Sequence, residues 1–420
     1  MQNATEIYDE SLFATLDVGI NTFDCVTTDS SDNIICAGNY KSDAERYAII
    51  VKYDSKFNLL GITKCKRSFI TSLAIDSDDN ILCTGHMYLN EVYYSEVFVL
   101  RLNNHLQIIH QNCYRGINTS RFEKIVVNKL GEIFTVGYTQ RNGSKNTSAI
   151  IVKLDTQLEI VTTSKYSLAL ADNYFNSIAI DSSNNLICVG YVVNDRNHKS
   201  KALVVRFDHN LNSIRQIHYT GKNSDRFIDV VIDKYDVITC IGTTIARNSD
   251  RYRALVVKFN SNLSIIASQH YFDTCNMILQ SITNVGNSAN ICVGYCSDHQ
   301  SKMHYACIFQ LNNYLSLDKV KVYNSSPNCG QFDNICVDNN NDIVIIGHST
   351  SHILDYEIFA AKLSGDNVVG KGNCRLKLED KEISSFQPND EAIASYVTSR
   401  VLTLNISSQS VIVETIVDNH

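Results

Sequence analysis

Four sets of residues in this 420-residue chain have types and spacings that could do chemistry. The first is a series of acidic turns, Asp29-Ser-Ser-Asp-Asn33, Asp76-Ser-Asp-Asp-Asn80, Asp181-Ser-Ser-Asn-Asn185 and Asp338-Asn-Asn-Asn-Asp342, which superficially resemble calcium loops. A calcium loop also needs a glycine at its sharp bend and a distal bidentate Glu. Neither is present, and Asp and Asn are ordinary hairpin residues because they tolerate left-handed backbone geometry and bond their own main chain. The second set is cysteine, fourteen in all. Only Cys292 and Cys296 are close in sequence, and one Cys-x3-Cys without a second pair is a poor zinc signal. The third is twelve histidines, none in the HxH or HExxH spacing of a metal helix. His348 and His352 are four apart, but on a loop, where that spacing carries no geometry. The chain has no Gly-x-Ser-x-Gly elbow, no Ser/His/Asp order and no phosphate-cradling glycine loop. The expectation is therefore no catalytic residue, no cofactor and no metal. The fourth set is arginine, and its meaning depends on which elements carry it.

Those elements are given by a repeat. The segment Ser177-Ile-Ala-Ile-Asp-Ser-Ser-Asn-Asn-Leu-Ile-Cys-Val-Gly190 has six relatives, which end at Gly38, Gly85, Gly137, Gly242, Gly294 and Gly347. The seven glycines are spaced by 47, 52, 53, 52, 52 and 53 residues. Each is followed by a polar stretch and an apolar segment such as Ala202-Leu-Val-Val-Arg-Phe-Asp208, then by a further segment such as Leu211 to Tyr219. An aromatic residue opens the next unit at Phe23, Phe69, Phe122, Phe175, Phe227 and Phe332, and only the unit near Met277 lacks one. Apolar runs of five to eight residues bounded by Asn, Asp, Ser and Gly read as strands. Four short antiparallel strands per unit of about fifty residues make a propeller blade.

The expected fold is all-β: a single β-propeller of four-stranded antiparallel blades, seven in number, with eight as the alternative if the last is degenerate and closed by both termini. Residues 1–22 would supply an N-terminal strand closing the ring. The seven repeats would run from 23 to 374, at about 23–68, 69–121, 122–174, 175–226, 227–276, 277–331 and 332–374, and strands in 375–420 would complete or cap the last blade. Cys36, Cys83, Cys188, Cys240 and Cys292 each sit two residues before a repeat glycine. Equivalent sites in adjacent blades are too far apart for disulfides, so these read as small buried fillers of the second strand.

The run Ile-Ala-Ile-Asp-Ser-Ser-Asn-Asn-Leu-Ile-Cys-Val-Gly-Tyr191, then Ala202-Leu-Val-Val-Arg-Phe-Asp208, resembles the bacterial β-propeller repeat of the SBBP type. The resemblance covers about Phe23 to Ser364 and implies a propeller with a binding or scaffold role. The repeat's usual glycine after the turn Asn is mostly missing here.

In a propeller, the loops between second and third strands share one face with the blade-to-blade connections. That places Arg46, Arg141, Arg196, Arg226, Arg251 and Arg253 on a common rim, where loops on a rigid scaffold display function. The expected function is a non-enzymatic binding module that recognises a protein partner through this rim. A glycan-binding propeller, using Tyr138, Tyr191 and Tyr295 after equivalent glycines, is the alternative. A hydrolase or lyase with carboxylates or histidines converging on the central channel is a second. A net charge of −7 without a basic stripe does not suit nucleic acid. The absence of a long apolar run argues against a membrane span. Reduced, core-facing cysteines and the lack of a leader-like start point to the cytoplasm.

Overall fold

A computed structural model describes residues 20–371 except the short stretches 42–45, 89–94, 116–119, 141–145, 220–223, 246–250, 273–275, 287–288, 298–303, 325–328, 351–355 and 365–366; beyond these it describes four strands, at 377–379, 384–386, 405–407 and 413–416. Seven antiparallel sheets follow one another in the ring, at 20–66, 68–115, 120–166, 171–219, 224–272, 276–324 and 329–371, here blades 1 to 7. This is the seven-bladed propeller expected. Blade 4 shows the pattern: an inner strand Ala171–Ile180, then Leu186–Asn194, Ser200–Phe207 and the outer strand Ser213–Tyr219. The second and third strands are apolar on both faces because each sheet is covered by a neighbour on either side. Ile187, Val189, Val204 and Phe227, for instance, belong to one cluster between blades 4 and 5.

Each blade draws its four strands from one contiguous stretch of chain, and blade 7 is completed by its own outer strand Asn367–Lys371. The short strands after residue 376 do not cap it. They lie on the free outer edges of blades 6, 5, 2 and 1, where unpaired backbone groups offer a ladder. The expected N-terminal closing strand, centred on Leu12 to Gly19, lies outside the described residues. Among the described residues, blade 7 packs directly on blade 1. Val344 and Ile346 pack against Phe23 and Val26, and Asn339 donates its backbone N–H to Asp32 at 2.9 Å.

Two repeated devices lock neighbouring blades. The third-strand cation reaches back to its own hairpin carboxylate and forward to a carbonyl in the next blade. Lys52 bonds Asp29 at 2.9 Å and Asn104 O at 2.8 Å; Arg206 bonds Asp181 at 2.7 Å and also Ser261 O; Lys153 bonds Glu132 at 2.5 Å and His209 O at 3.1 Å. The carboxylates of the acidic turns thus serve backbone N–H groups and this clamp. Second, an outer-strand tyrosine buries its ring and sends its hydroxyl into the following blade, as Tyr166 does to His218 Nε2 and Tyr219 to Ser268 Oγ, both at 2.7 Å. His218 and His270 are correspondingly buried packing residues, and burial pushes both imidazoles down to about 4. The five second-strand cysteines are fully buried and unpaired.

Candidate functional site: the central channel and its mouth

The channel is lined by inner strands, and a defect repeated in each of them decides which side chains face it. Opposite every repeat glycine the ladder skips one inner-strand residue. Phe175 pairs with Gly190 and Ser177 with Val189, leaving Asn176 as a β-bulge. The same skip occurs at Asp24, Thr71, Glu123, Ile228, Gln280 and Asp333. A bulge re-aims its extra side chain, and all seven of these residues line one cavity of about 610 Å³ on the axis. The bulge also explains the glycines. A Cβ on Gly190 would lie 2.0 Å from Tyr174 O, and Gly38, Gly85, Gly137, Gly242 and Gly294 meet the equivalent carbonyl at 1.8–2.0 Å. Two blades place an aliphatic residue opposite the glycine. In blade 2 the residue facing the glycine is Ile70, not Phe69, whose ring stacks on His86 at 5.1 Å. In blade 6 it is Leu279, two residues beyond Met277.

Charges in the channel are largely paired. Arg121 bonds Glu123 at 2.9 Å, and Lys124 lies 3.7 Å from Asp229. Asp229 is buried and ties together three blades, accepting from Ser177 Oγ at 2.6 Å, Ser281 Oγ at 3.0 Å and Ile282 N at 3.2 Å. At the junction of blades 7 and 1, Asp333 accepts from Gln331 at 2.7 Å and pairs with His348 at 2.6 Å. Beside them Asp24 accepts from Asn39 and from Thr22. Desolvation, then the Asp333 charge, push the Asp24 carboxyl up to about 6. Burial alone would lower the His348 imidazolium, but the Asp333 carboxylate, with Asp24 behind it, raises it above its ordinary value. Carboxylates and a histidine therefore do converge on the channel.

Of the rim arginines, the structure brings one into this site. Arg226 sits one residue before Phe227 on an inner strand, with its guanidinium carbon 4.6 Å above the Tyr191 ring and its Nε 3.4 Å from Ser200 Oγ. Arg196 and Arg251 are exposed at the same end of the molecule, Arg253 is half-buried on a third strand, and Arg46 opens the third strand of blade 1. Arg141 lies outside the described residues. Beside Arg251, Tyr252 is exposed and lines the channel mouth. The three tyrosines after repeat glycines do not form one pocket per blade. Tyr138 meets Tyr174 edge-on at 5.0 Å, Tyr174 stacks on Tyr191 at 4.7 Å, and Tyr295 stacks on His304 at 4.8 Å. Of these only Tyr191 lines the axial cavity. The bulge residues escape sequence reading because their types vary. Their one signal is position, directly after the residue that faces the repeat glycine.

No family model matches the chain, and no curated protein matches it. Solved structures with a similar fold do exist. The polysaccharide lyase Uly1 is 8% identical with a TM-score of 0.50, over 91% of this chain and 94% of that one. Sqt1 from Chaetomium thermophilum is 9% identical with a TM-score of 0.50, over 87% of this chain and 98% of that one. The Dos1 propeller is 12% identical with a TM-score of 0.47, over 86% and 81%. At these identities the likeness is one of fold.

Proposed function

We propose that this propeller is a non-enzymatic binding module that engages a protein partner across its loop-bearing face. The observation that carries the reading is the difference between the two ends of the ring. At one end the hairpin turns satisfy one another: Ser30 and Ser182 donate backbone N–H groups to Asp79 and Asp236 of the next blade at 3.0 and 2.9 Å. At the other end Arg196, Arg226, Arg251 and Tyr252 are exposed. Arginine and tyrosine are the residue types that dominate protein-binding hot spots. The buried thiols of Cys36, Cys83, Cys188, Cys240 and Cys292 support a reducing, cytoplasmic setting, and the SBBP-type repeat is the proposed origin of the blades. A photo-crosslinking residue at Tyr252, with one at Leu130 on the opposite end as control, tests the reading in the native host. Discrete adducts are expected from position 252 alone, and they are lost when Arg196 and Arg251 are both changed to Glu. Equal labelling from both positions, or none, removes this function.

A second reading, acid–base chemistry in the channel, rests on Asp24 and Asp333. Burial raises the Asp24 carboxyl, as a general acid requires, and the neighbouring Asp333 pairs with His348 at 2.6 Å. Hydrolysis or elimination that Asp333→Asn abolishes, in a screen of glycoside and ester substrates, would support it; activity unchanged by that substitution would exclude it.

A further inference from the structure

We infer that the channel wall formed by blades 4 to 6 is a binding site for a saccharide bearing one carboxylate, a sugar of the uronic-acid type. Arg226 and Tyr252 belong to both this site and the partner face, but labelling at the rim and sugar binding in the channel are separate measurements and succeed or fail separately. It follows from which polar groups are already used. Arg121 and Lys124 face their own carboxylates, Glu123 and Asp229. Arg226 has no carboxylate partner among the described residues. Its contacts are the Ser200 hydroxyl and the face of Tyr191, which hold the guanidinium at the cavity. A guanidinium fork matches a carboxylate with two parallel hydrogen bonds.

The groups around Arg226 suit the rest of a sugar. Gln280, the bulge residue of blade 6, makes no hydrogen bond with another described residue and offers both a donor and an acceptor. Asn176, the bulge residue of blade 4, gives its amide N–H to Phe227 O at 2.6 Å, which leaves its carbonyl oxygen to accept from a hydroxyl. Between them lie Ile228, Ile278 and Tyr252, an apolar strip of the same wall. A pyranose has a polar rim and apolar faces, so it needs amides and an aromatic or aliphatic platform together. The opposite wall limits the charge. Asp24 and Asp333 face the same cavity, and a second negative group on the ligand would meet their field in a space poorly screened by water. That favours a monocarboxylate over a phosphate or a polyanion. A cavity of about 610 Å³ has the size of small-molecule sites.

Titration calorimetry of the full chain near neutral pH with methyl glucuronide, methyl glucoside and a glucose phosphate monoester tests the site. The glucuronide is expected to bind at least about tenfold tighter than the glucoside, and the phosphate no tighter than the glucoside. Arg226→Gln should erase the preference for the acid, while Arg226→Lys retains part of it. Gln280→Ala should weaken both methyl glycosides alike. The inference is overturned if the glucuronide gives no binding heat, if acid and neutral sugars bind equally, if the phosphate binds tightest, or if the preference survives in a folded Arg226→Gln protein.

Discussion

Two glycines separate the requirement for space from the requirement for a left-handed backbone. Gly190 has ordinary φ but no room, with Tyr174 O 2.0 Å from the position of a Cβ. Gly131 has φ +77° and open space around it. Gly190→Ala must displace the Tyr174 carbonyl and is expected to cost about 3 kcal/mol, the upper end of overpacking in a dense core. Gly131→Asn should be nearly neutral, because Asn184 and Asp236 already hold the equivalent turn position at φ 61° and 59°. Urea denaturation of the pair gives the comparison, and similar midpoints for both would disprove this account of the repeat glycine. Asp24 gives a pH signature of opposite sign to that of most carboxylates. Its folded value, about 6, lies above the unfolded one, so the ionised form is disfavoured by the fold. The penalty is present above the folded value and relieved as pH falls from about 6 toward the ordinary value near 4. Asp24→Asn should therefore stabilise the protein at neutral pH and make little difference near pH 4; melting curves at the two pH values read this directly. At this scale the sequence was only partly legible. The glycine stood out because nothing else fits against the inner-strand carbonyl that faces it. The bulge residues Asp24, Thr71, Glu123, Asn176, Ile228, Gln280 and Asp333 share a direction but no chemistry, so composition could not mark them.

The strands were legible for the reason that makes them strands: two-sided burial requires Ile-Val-Leu runs, and the turns between them require left-handed residues. The hairpin between inner and second strands meets that need with Asp32, Asp79, Asn184, Asp236 and Asn341, all at φ near 60°. The hairpin between third and outer strands uses Phe57, Leu106, Leu158, Leu211, Leu263 and Leu315 at φ 57–65°, an uncommon choice for a bulky residue. Each of these side chains is buried between blades. A strain of about 1–2 kcal/mol per residue is offset by burying an apolar side chain, worth roughly 2–3 kcal/mol. The third-strand cation sits inside the apolar repeat segment, as Arg206 does, but its two-way clamp leaves no local pattern, since one of its partners lies about fifty residues on. Arg101 joins Asp76 in its own blade to Thr156 O, 3.1 Å away in the next. Burial would raise the Asp76 carboxyl, but bonds from Asn80 and Asp78 and the Arg101 charge hold it below the usual carboxylate range. That depression contributes stability above the unfolded value, about 3.9, which is lost as pH falls through the folded value. Arg101→Met leaves Asp76 without its cation, and a loss of about 2 kcal/mol at neutral pH is expected, shrinking in strong acid. An equal loss at both pH values would mean the arginine acts through packing alone.

A ring of like units is only as strong as its weakest junction, and here the junctions differ. Between blades 4, 5 and 6 the buried Asp229 gathers Ser177, Ser281 and the Ile282 N–H within 2.6–3.2 Å. Between blades 7 and 1, the corresponding inner-strand contacts are longer: Thr28 Oγ1 to Val337 O at 3.4 Å and Asn334 Nδ2 to Asp24 O at 3.5 Å. Among the described residues no sheet mixes strands from both sides of the seam, and the contacts across it are packing around Phe23 and Ile346 and the turn bonds to Asp32. The seven units are legible in the repeat, while the expected N-terminal closing strand lies outside the described residues. The contact between the first and last repeats spans about 310 residues and leaves no local pattern. Units that touch only their neighbours open at the interface with the least energy in it. Native-state hydrogen exchange should accordingly show the inner strands of blades 1 and 7 exchanging through a sub-global opening, with lower protection than Ala171–Ile180 or Ser224–Ile232. Asp32→Ala, which removes the bonds to Asn339 and Asn340, should lower protection at the seam and leave blade 4 unchanged. Asp229→Ala should do the reverse, removing the advantage of blades 4 to 6. Uniform protection around the ring, or an Asp32→Ala effect spread evenly over all blades, would show that the propeller opens only as a whole and that the seam is no weaker than its other junctions.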